Sequence, residues 1–184
     1  ADISSRLVVM SQRGRAFLMD VYGVPEQKID VVAHGIPDMP FVDPDSHKDQ
    51  FGVAGKHVVL TFGLLSPNKG IEYALRALPE VIHEFPNLVY MLLGATHPNL
   101  VREQGESYRL SLERLVGDLG IGKHVVFYNR FVELHELIEF IAAADIYLTP
   151  YLDPAQITSG TLAYAFGCGK AVISTPYWHA EELL

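Results

Sequence analysis

Residues 153–170 read DPAQITSGTLAYAFGCGK, in which a polar Thr-Ser-Gly turn (residues 158–160) leads directly into an apolar segment that ends at a second glycine-rich corner. Thr158 or Ser159 can cap a helix that begins at this turn, and Gly160 lets a ligand approach the backbone. The first turn of a helix has unpaired N–H groups at the positive end of the helix dipole. The pattern predicts a site for an anion such as phosphate, with a plain helix cap as the alternative.

Two apolar runs flank this segment, one at residues 145–149 and the other at Ala171–Ser174. A strand, a loop, a helix and a second strand within about thirty residues form a βαβ unit. In open parallel sheets, ligands bind at the carboxyl ends of the strands. The Thr-Ser-Gly turn follows the first strand of this unit, so the anion site is expected at such an end.

Short apolar runs of strand length recur along the rest of the chain and alternate with segments of helical periodicity. This alternation predicts an α/β fold with a parallel sheet, in a single domain of residues 1–184. Pro37–Lys56 has neither period and is predicted to be an excursion before the central sheet. The predicted strands are Leu7–Met10, Ile29–Ala33, His57–Phe62, Leu88–Leu93, Val125–Tyr128, Ile146–Thr149 and Ala171–Ser174.

Three helices are predicted from apolar residues that recur at helical spacing. They run from Ile71 to Phe85, from Tyr108 to Leu119 and from Leu134 to Ala142. Pro79 either kinks the first of them or starts its second part, and Gly120 ends the second. These stripes are interpreted as core and not as binding sites.

The composition excludes several classes of partner. The chain has 184 residues with only 14 Lys and Arg and a net charge of −8, so it lacks the basic face that nucleic acid or an anionic membrane requires. No apolar run approaches the roughly 18 residues of a membrane-spanning helix, and no HExxH or CxxC spacing indicates a metal. The single cysteine, Cys168, is interpreted as a small buried residue and indicates a reducing compartment, so we expect a cytoplasmic location.

Several weaker motifs occur in one order along the chain. VMS (residues 9–11), YGVP (22–25) and VAHGI (32–36) are followed by FGLLSPNKGI (62–71) and AFGCGKAVIS (165–174). The last two are similar to the G-R-L-x-x-x-K-G and A-M-A-C-G-x-P-V-I-A segments of one enzyme family. The chain thus resembles the C-terminal, nucleotide-sugar-binding half of a GT-B-fold glycosyltransferase of family 4, also called group 1.

This resemblance implies a Rossmann-like parallel sheet flanked by helices, and a retaining glycosyltransferase that uses a UDP-, GDP- or ADP-sugar without a cofactor. An N-terminal acceptor domain would then lie upstream. The chain stops at residues 181–184, EELL, which read as the opening of a helix. We therefore expect a fragment of a two-domain enzyme, truncated at its C-terminus and inactive by itself.

In such an enzyme the diphosphate leaves the sugar, and catalysis relies on positive potential directed at the departing oxygens. The resemblance assigns this role to Lys69, which Gly63 and Gly70 bracket, with a solvated turn lysine as the alternative. The amides of Thr158, Ser159, Gly160 and Thr161 complete the expected phosphate site. Asn129, Arg130 and Phe131, in the loop after a strand, are expected to hold the base, although a plain connecting loop is equally consistent with their positions.

Three residues depart from the pattern of the family. Gln156 and Tyr164 occupy the positions of its two glutamates, and Leu64 replaces its arginine. Gln156 could still hydrogen-bond the donor sugar, and Tyr164 would contact the substrate without supplying a carboxylate. Lys69 is left as the main side-chain cation for the diphosphate.

Other functions remain open at this point. The departures suit a nucleotide-binding module without transfer activity, and the same architecture occurs in sugar-nucleotide epimerases and in α-glucan phosphorylases. Among the histidines, His34 is interpreted as structural, while His179 could face the cleft. Glu181 or Glu182 is expected to begin a helix, where a carboxylate is favourable in any case.

Overall fold

The computed structural model describes residues 3–184, in which strands and helices alternate. The strands are β1 (Leu7–Val9), β2 (Ile29–Val31), β3 (His57–Phe62), β4 (Leu88–Leu93), β5 (Val125–Tyr128), β6 (Ile146–Thr149) and β7 (Ala171–Ser174). The helices are α1 (Gln12–Tyr22), α2 (Asp45–Lys48), α3 (Ile71–Glu84), α4 (Pro98–Gln104), α5 (Ser107–Asp118), α6 (Leu134–Ala143), α7 (Gly160–Gly167) and α8 (Trp178–Leu183). The α/β prediction is therefore confirmed.

Five strands form one parallel sheet in the order β5-β4-β3-β6-β7. The chain leaves β3 toward one edge of the sheet and later returns beside β3 to form β6 and β7, so the strand order reverses between β3 and β6. In a Rossmann-like sheet, that reversal opens a crevice at the carboxyl ends of the two strands. The loops after β3 and β6 carry the predicted site residues to this crevice.

The central strands are apolar along their whole length because both faces of the sheet are covered. All residues of β4 and all but the first of β3 are buried, as expected for a parallel sheet with helices on each side. Leu60, Met91 and Phe140 belong to the core on one face, and Leu75 and Tyr90 to the core on the other. Burying a side chain such as Leu75 completely stabilises the fold by about 1.5–3 kcal/mol.

The first two predicted strands do not join the central sheet. β1 and β2 pair with each other in a separate parallel sheet of two strands. Part of the apolar surface of this small sheet is exposed: Val8 in β1 exposes 64% of its area, and Val32, directly after β2, exposes 56%. Both strands are also shorter than predicted, since Met10 and Val32–Ala33 lie outside them.

Three further differences concern helices. α3 continues through Pro79 as one helix. The excursion Pro37–Lys56 contains α2, whose buried Lys48 contacts Asp145 at 2.9 Å and so attaches the segment to the sheet. The last helix begins at Trp178 and not at Glu181.

Candidate functional site

At the start of α7, the amide of Ser159 is hydrogen-bonded, whereas those of Gly160 and Thr161 are not bonded to any described residue. Ser159 is the N-cap, and its Oγ accepts a hydrogen bond from the amide of Leu162 at 3.2 Å. The amide of Ser159 donates to Nδ1 of His179 at 2.9 Å, which corrects its assignment as a free anion donor. Within residues 3–184, no backbone hydrogen bond uses the amides of Gly160 and Thr161. These two N–H groups remain available at the positive end of the helix.

Lys69 lies next to this turn. Its Nζ is 3.8 Å from the centroid of the Tyr151 ring, and the Tyr151 hydroxyl is 2.8 Å from Oγ1 of Thr161. The turn that carries Lys69 packs against the loop after β6. Gly70 ends this turn with a positive φ of 62°, and a Cβ at this position would lie 2.1 Å from the carbonyl oxygen of Pro150. Only glycine permits this approach. Tyr151 thereby links Lys69 to Thr161.

The electrostatics around Tyr151 show a positive potential at this point. Burial raises the pKa of Tyr151, but the Lys69 charge and the hydrogen bonds with Lys69 and Thr161 lower it more, so the net shift is downward. The hydroxyl of Tyr147 lies beside Tyr151 and Thr161, and it is the one buried side-chain polar atom of the described residues without a hydrogen-bond partner. The positive charge and the free amides together favour a negatively charged ligand.

An apolar cavity of about 180 Å³ lies beside the turn, at the ends of β3 and β4. Its lining includes Gly63, Gly94 and Phe131, and Phe131 is 76% exposed at the rim. A Cβ on Gly94 would lie 1.9 Å from the Gly63 carbonyl oxygen, and one on Gly63 would lie 3.2 Å from Cγ2 of Thr161. Gly63 and Gly94 thus line the cavity side by side, and Gly63 connects it to the first turn of α7.

The predicted base-binding loop is only partly directed toward this cavity. Arg130 and Phe131 line it, and the guanidinium of Arg130 also forms an ion pair with Glu136. Asn129 instead donates from Nδ2 to Oε1 of Glu113 at 3.2 Å. The carboxylate of Glu136 raises the pKa of Arg130, so this side chain stays charged.

Gln156 and Tyr164 lie on either side of the turn. The Nε2 of Gln156 donates to the carbonyl of Thr158 at 2.5 Å, so the NH₂ group of this side chain is already engaged in a hydrogen bond. The Tyr164 ring meets the His34 ring edge-on, with centroids 5.6 Å apart. A Cβ on Gly160 would lie 2.7 Å from Nε2 of His34. The missing side chain of Gly160 thus makes room for His34, a contact that sequence reasoning did not anticipate.

Tyr151 is the functional residue that sequence reasoning missed. It is buried, it stacks on Tyr177 at 5.1 Å between centroids, and it contacts both Lys69 and Thr161. Its position directly after the Pro150 that follows β6 was the available signal, because residues at the carboxyl end of a parallel strand face the crevice.

Other classes of site can be examined over the same residues. The part of the chain from residue 3 onward has no group of three or more His, Cys, Asp or Glu side chains placed to hold a metal. None of its helices is both long and apolar enough to cross a membrane. Burial raises the pKa of the Cys168 thiol, which opposes formation of the reactive thiolate.

Similar proteins share this architecture. HepE from Anabaena, solved in complex with UDP, superimposes with a TM-score of 0.80 at 22% identity, over 98% of this chain and 47% of HepE. WaaG, a glycosyltransferase involved in lipopolysaccharide biosynthesis, gives a TM-score of 0.71 at 20% identity, over 95% of this chain and 46% of WaaG. At these identities the similarity shows a common fold, and it confirms the Rossmann-like prediction.

Curated relatives match by sequence. A GDP-mannose-dependent α-(1-6)-phosphatidylinositol monomannoside mannosyltransferase from Mycolicibacterium smegmatis is 32% identical over 111 residues, which is 59% of this chain and 26% of that protein. A D-inositol 3-phosphate glycosyltransferase from Acidothermus cellulolyticus is 30% identical over 152 residues, or 80% of this chain and 33% of that protein. The chain thus spans about a third or less of the length of these relatives.

The family model described as "Glycosyl transferases group 1" matches residues 56–184, from the start of the central sheet to the last residue. This range contains Lys69, the Thr-Ser-Gly turn and the apolar cavity. The resemblance that the sequence motifs indicate is therefore confirmed, and the chain belongs to the group 1 glycosyl transferases.

Proposed function

We propose that this domain binds the nucleotide-sugar donor of a retaining glycosyltransferase. One observation carries the proposal: Tyr151 contacts both the ammonium of Lys69 and the side chain of Thr161, so a positive charge and the free amides of Gly160 and Thr161 share the crevice next to an apolar cavity. Such a cavity suits a flat base, and the adjoining positive groups suit a diphosphate.

Different groups of the site then bind the base, the diphosphate and the sugar of the donor. The base enters the cavity against Phe131, with Arg130 at its edge. The diphosphate lies against the first turn of α7, where Lys69 and the two free amides stabilise the charge that develops as the sugar departs. Gln156 contacts the sugar through its free Oε1, and Tyr164 closes the site near the ribose.

The names of similar proteins support a nucleotide donor of this kind. HepE is solved with UDP, and the mycobacterial relative is named as GDP-mannose-dependent.

We also infer that the domain works within a larger enzyme, with an acceptor domain that precedes it. The separate sheet of β1 and β2 supports this, because parallel strands are normally buried on both faces and two strands alone are marginally stable. Val8, Met10 and Val32 expose 64%, 48% and 56% of their areas there. Strands of a preceding domain would extend this sheet and cover it.

Calorimetry with UDP, GDP and ADP tests donor binding by this chain, and we expect one of the three to bind weakly. The full-length protein should then transfer sugar from the matching nucleotide sugar, whereas this chain alone should not. Acceptor-dependent transfer by the isolated chain would contradict the two-domain proposal. Release of free nucleoside diphosphate without any acceptor would indicate an epimerase instead.

A nucleotide-binding module without transfer activity is the second candidate. The observation in its favour is the hydrogen bond from Nε2 of Gln156 to the carbonyl of Thr158, which already occupies part of this side chain. If the protein is instead the proposed transferase, Gln156→Ala in the full-length protein should weaken binding of the nucleotide sugar but not of the plain nucleotide, and Gln156→Glu should preserve or raise transfer. Unchanged turnover and affinity in both variants would show that Gln156 is only a loop residue.

A further inference from the structure

We propose that His179 is a positioning residue for the Thr-Ser-Gly turn and that it holds this turn only while its imidazole is neutral. Binding of a nucleoside diphosphate should therefore weaken in acid because His179 becomes protonated, and not only because the ligand phosphate does. The inference rests on the proposed function, because it concerns how the same anion site is kept in shape.

The contacts of His179 place it behind the turn. Its side chain is almost fully buried, at 4% exposure, and Nδ1 accepts the amide of Ser159 at 2.9 Å. Its backbone N–H donates to the carbonyl of Gln156 at 3.1 Å. One residue of α8 thus ties both ends of the segment 156–159 that precedes α7.

The hydrogen bond with Ser159 fixes the state of the ring. A backbone N–H can donate only to a ring nitrogen that carries no proton, so Nδ1 must be bare and Nε2 protonated. The imidazolium carries a proton on both nitrogens and would set two donors against each other. Protonation of His179 therefore breaks this contact and leaves the buried amide of Ser159 without an acceptor.

The amide of Ser159 matters to the ligand because Ser159 is the N-cap of α7. While the amide of Ser159 donates to His179, the next two amides, of Gly160 and Thr161, have no backbone acceptor among residues 3–184. If the contact breaks, the cap can rotate and the two donors lose their fixed direction. The positive charge of a protonated His179 would by itself attract an anion and strengthen binding in acid. Weaker binding in acid therefore indicates the lost hydrogen bond, and stronger binding indicates the charge.

The surroundings keep the ring neutral near pH 7. Burial lowers the pKa of His179 below its usual 6.5, and the nearby His34 lowers it further. Glu182, one turn later on the same helix, opposes both. The Arg13 guanidinium of α1 lies over the neighbouring Trp178 ring, 5.4 Å from its centroid. The neutral form is thus present above pH 6.5, and the contact is lost as the pH falls through the lowered pKa of His179.

Two substitutions separate the hydrogen bond from the ring itself. In His179→Asn, the amide oxygen lies where Nδ1 was and can still accept from Ser159, but it does not titrate. His179→Leu fills similar space without an acceptor. His83→Asn, on the exposed face of α3, is the matched control for replacing a histidine.

The affinity for UDP, GDP and ADP should be measured by calorimetry from pH 8 to pH 5 for all four proteins. At pH 8 we expect His179→Asn to bind like the parent and His179→Leu to bind about three- to tenfold more weakly, the usual effect of one neutral hydrogen bond. As the pH falls below 6.5, the parent should lose affinity relative to His179→Asn. The ligand phosphate titrates in the same range, but equally for every protein, so this ratio isolates His179.

A constant ratio between the parent and His179→Asn across the pH range would overturn the inference, as would tighter binding by the parent in acid. If no protein binds any nucleotide, the proposed function fails and the nucleotide part of the inference fails with it. Nitrogen-15 NMR of the ring then still decides whether His179 holds the turn. We expect the Nε2–H form, and faster exchange of the Ser159 amide in His179→Leu but not in His179→Asn; a protonated Nδ1 would refute the positioning role.

Discussion

Removing the charge of Lys69 should weaken diphosphate binding without affecting the base. Among residues 3–184, Lys69 takes part in no ion pair, and its ammonium lies on the face of Tyr151, 3.8 Å from the centroid. It can therefore bind an anion without first breaking a salt bridge. A hydrogen bond to a charged partner contributes about 1–3 kcal/mol, so Lys69→Ala should weaken diphosphate affinity by roughly 5- to 150-fold.

The same substitution has a smaller effect on the fold. The contact between a cation and an aromatic ring contributes about 0.5–1 kcal/mol at a partly exposed site, and Lys69→Ala removes it. Lys69→Met keeps the length of the side chain and much of its packing on Tyr151, so it should retain stability while losing the same diphosphate affinity.

Calorimetry with the nucleoside and with its diphosphate provides the measurement, and urea unfolding gives the stability. Lys123→Ala, at an exposed lysine before β5, is the control and should change neither affinity. Equal losses for the nucleoside and the diphosphate would refute the reasoning, because they would indicate a damaged fold and not a lost phosphate contact.

Three further substitutions test the framework of the site by urea unfolding. Gly70→Ala should destabilise the domain by about 3 kcal/mol or more, because its Cβ would overlap a backbone carbonyl at positive φ, whereas Gly117→Ala in the open part of α5 should be neutral or stabilising. Lys48→Met should cost about 1.5–3 kcal/mol, the usual contribution of a hydrogen bond to a charged group, because the partly buried Asp145 loses its ion pair. Burial opposes the charge of Lys48, but hydrogen bonds with Asp45 and Asp145 and the charges of these carboxylates outweigh it and raise the pKa of Lys48, so its contribution is present below pH 10.5 and is lost as the pH rises through the raised pKa. Glu182→Gln should cost about 1 kcal/mol because its carboxylate accepts two amides at the start of α1, while Glu181→Gln should cost little. A loss for Glu181→Gln as large as that for Glu182→Gln would contradict the capping role.

The sequence determined the central sheet and the place of the site along the chain. Strands β3 to β7 have the predicted bounds, because long apolar runs such as His57–Phe62 can only be buried between two layers of helices. The Thr-Ser-Gly turn begins a helix as expected, because a cap depends on residues within one turn of each other. Both features depend on the spacing of polar and apolar residues within a short segment, which the sequence shows directly.

Tertiary structure alone decided which groups of the site are free. Ser159 loses its amide to His179, twenty positions later, and Gly160 makes room for His34, which approaches from the segment after β2. Lys69 meets the turn only through Tyr151, on a loop that the sheet order brings beside it. Likewise, β1 and β2 have strand patterns but join a different sheet. Such pairings join residues far apart in the chain, and their hydrogen bonds and contacts depend on distances that no local pattern of residues contains.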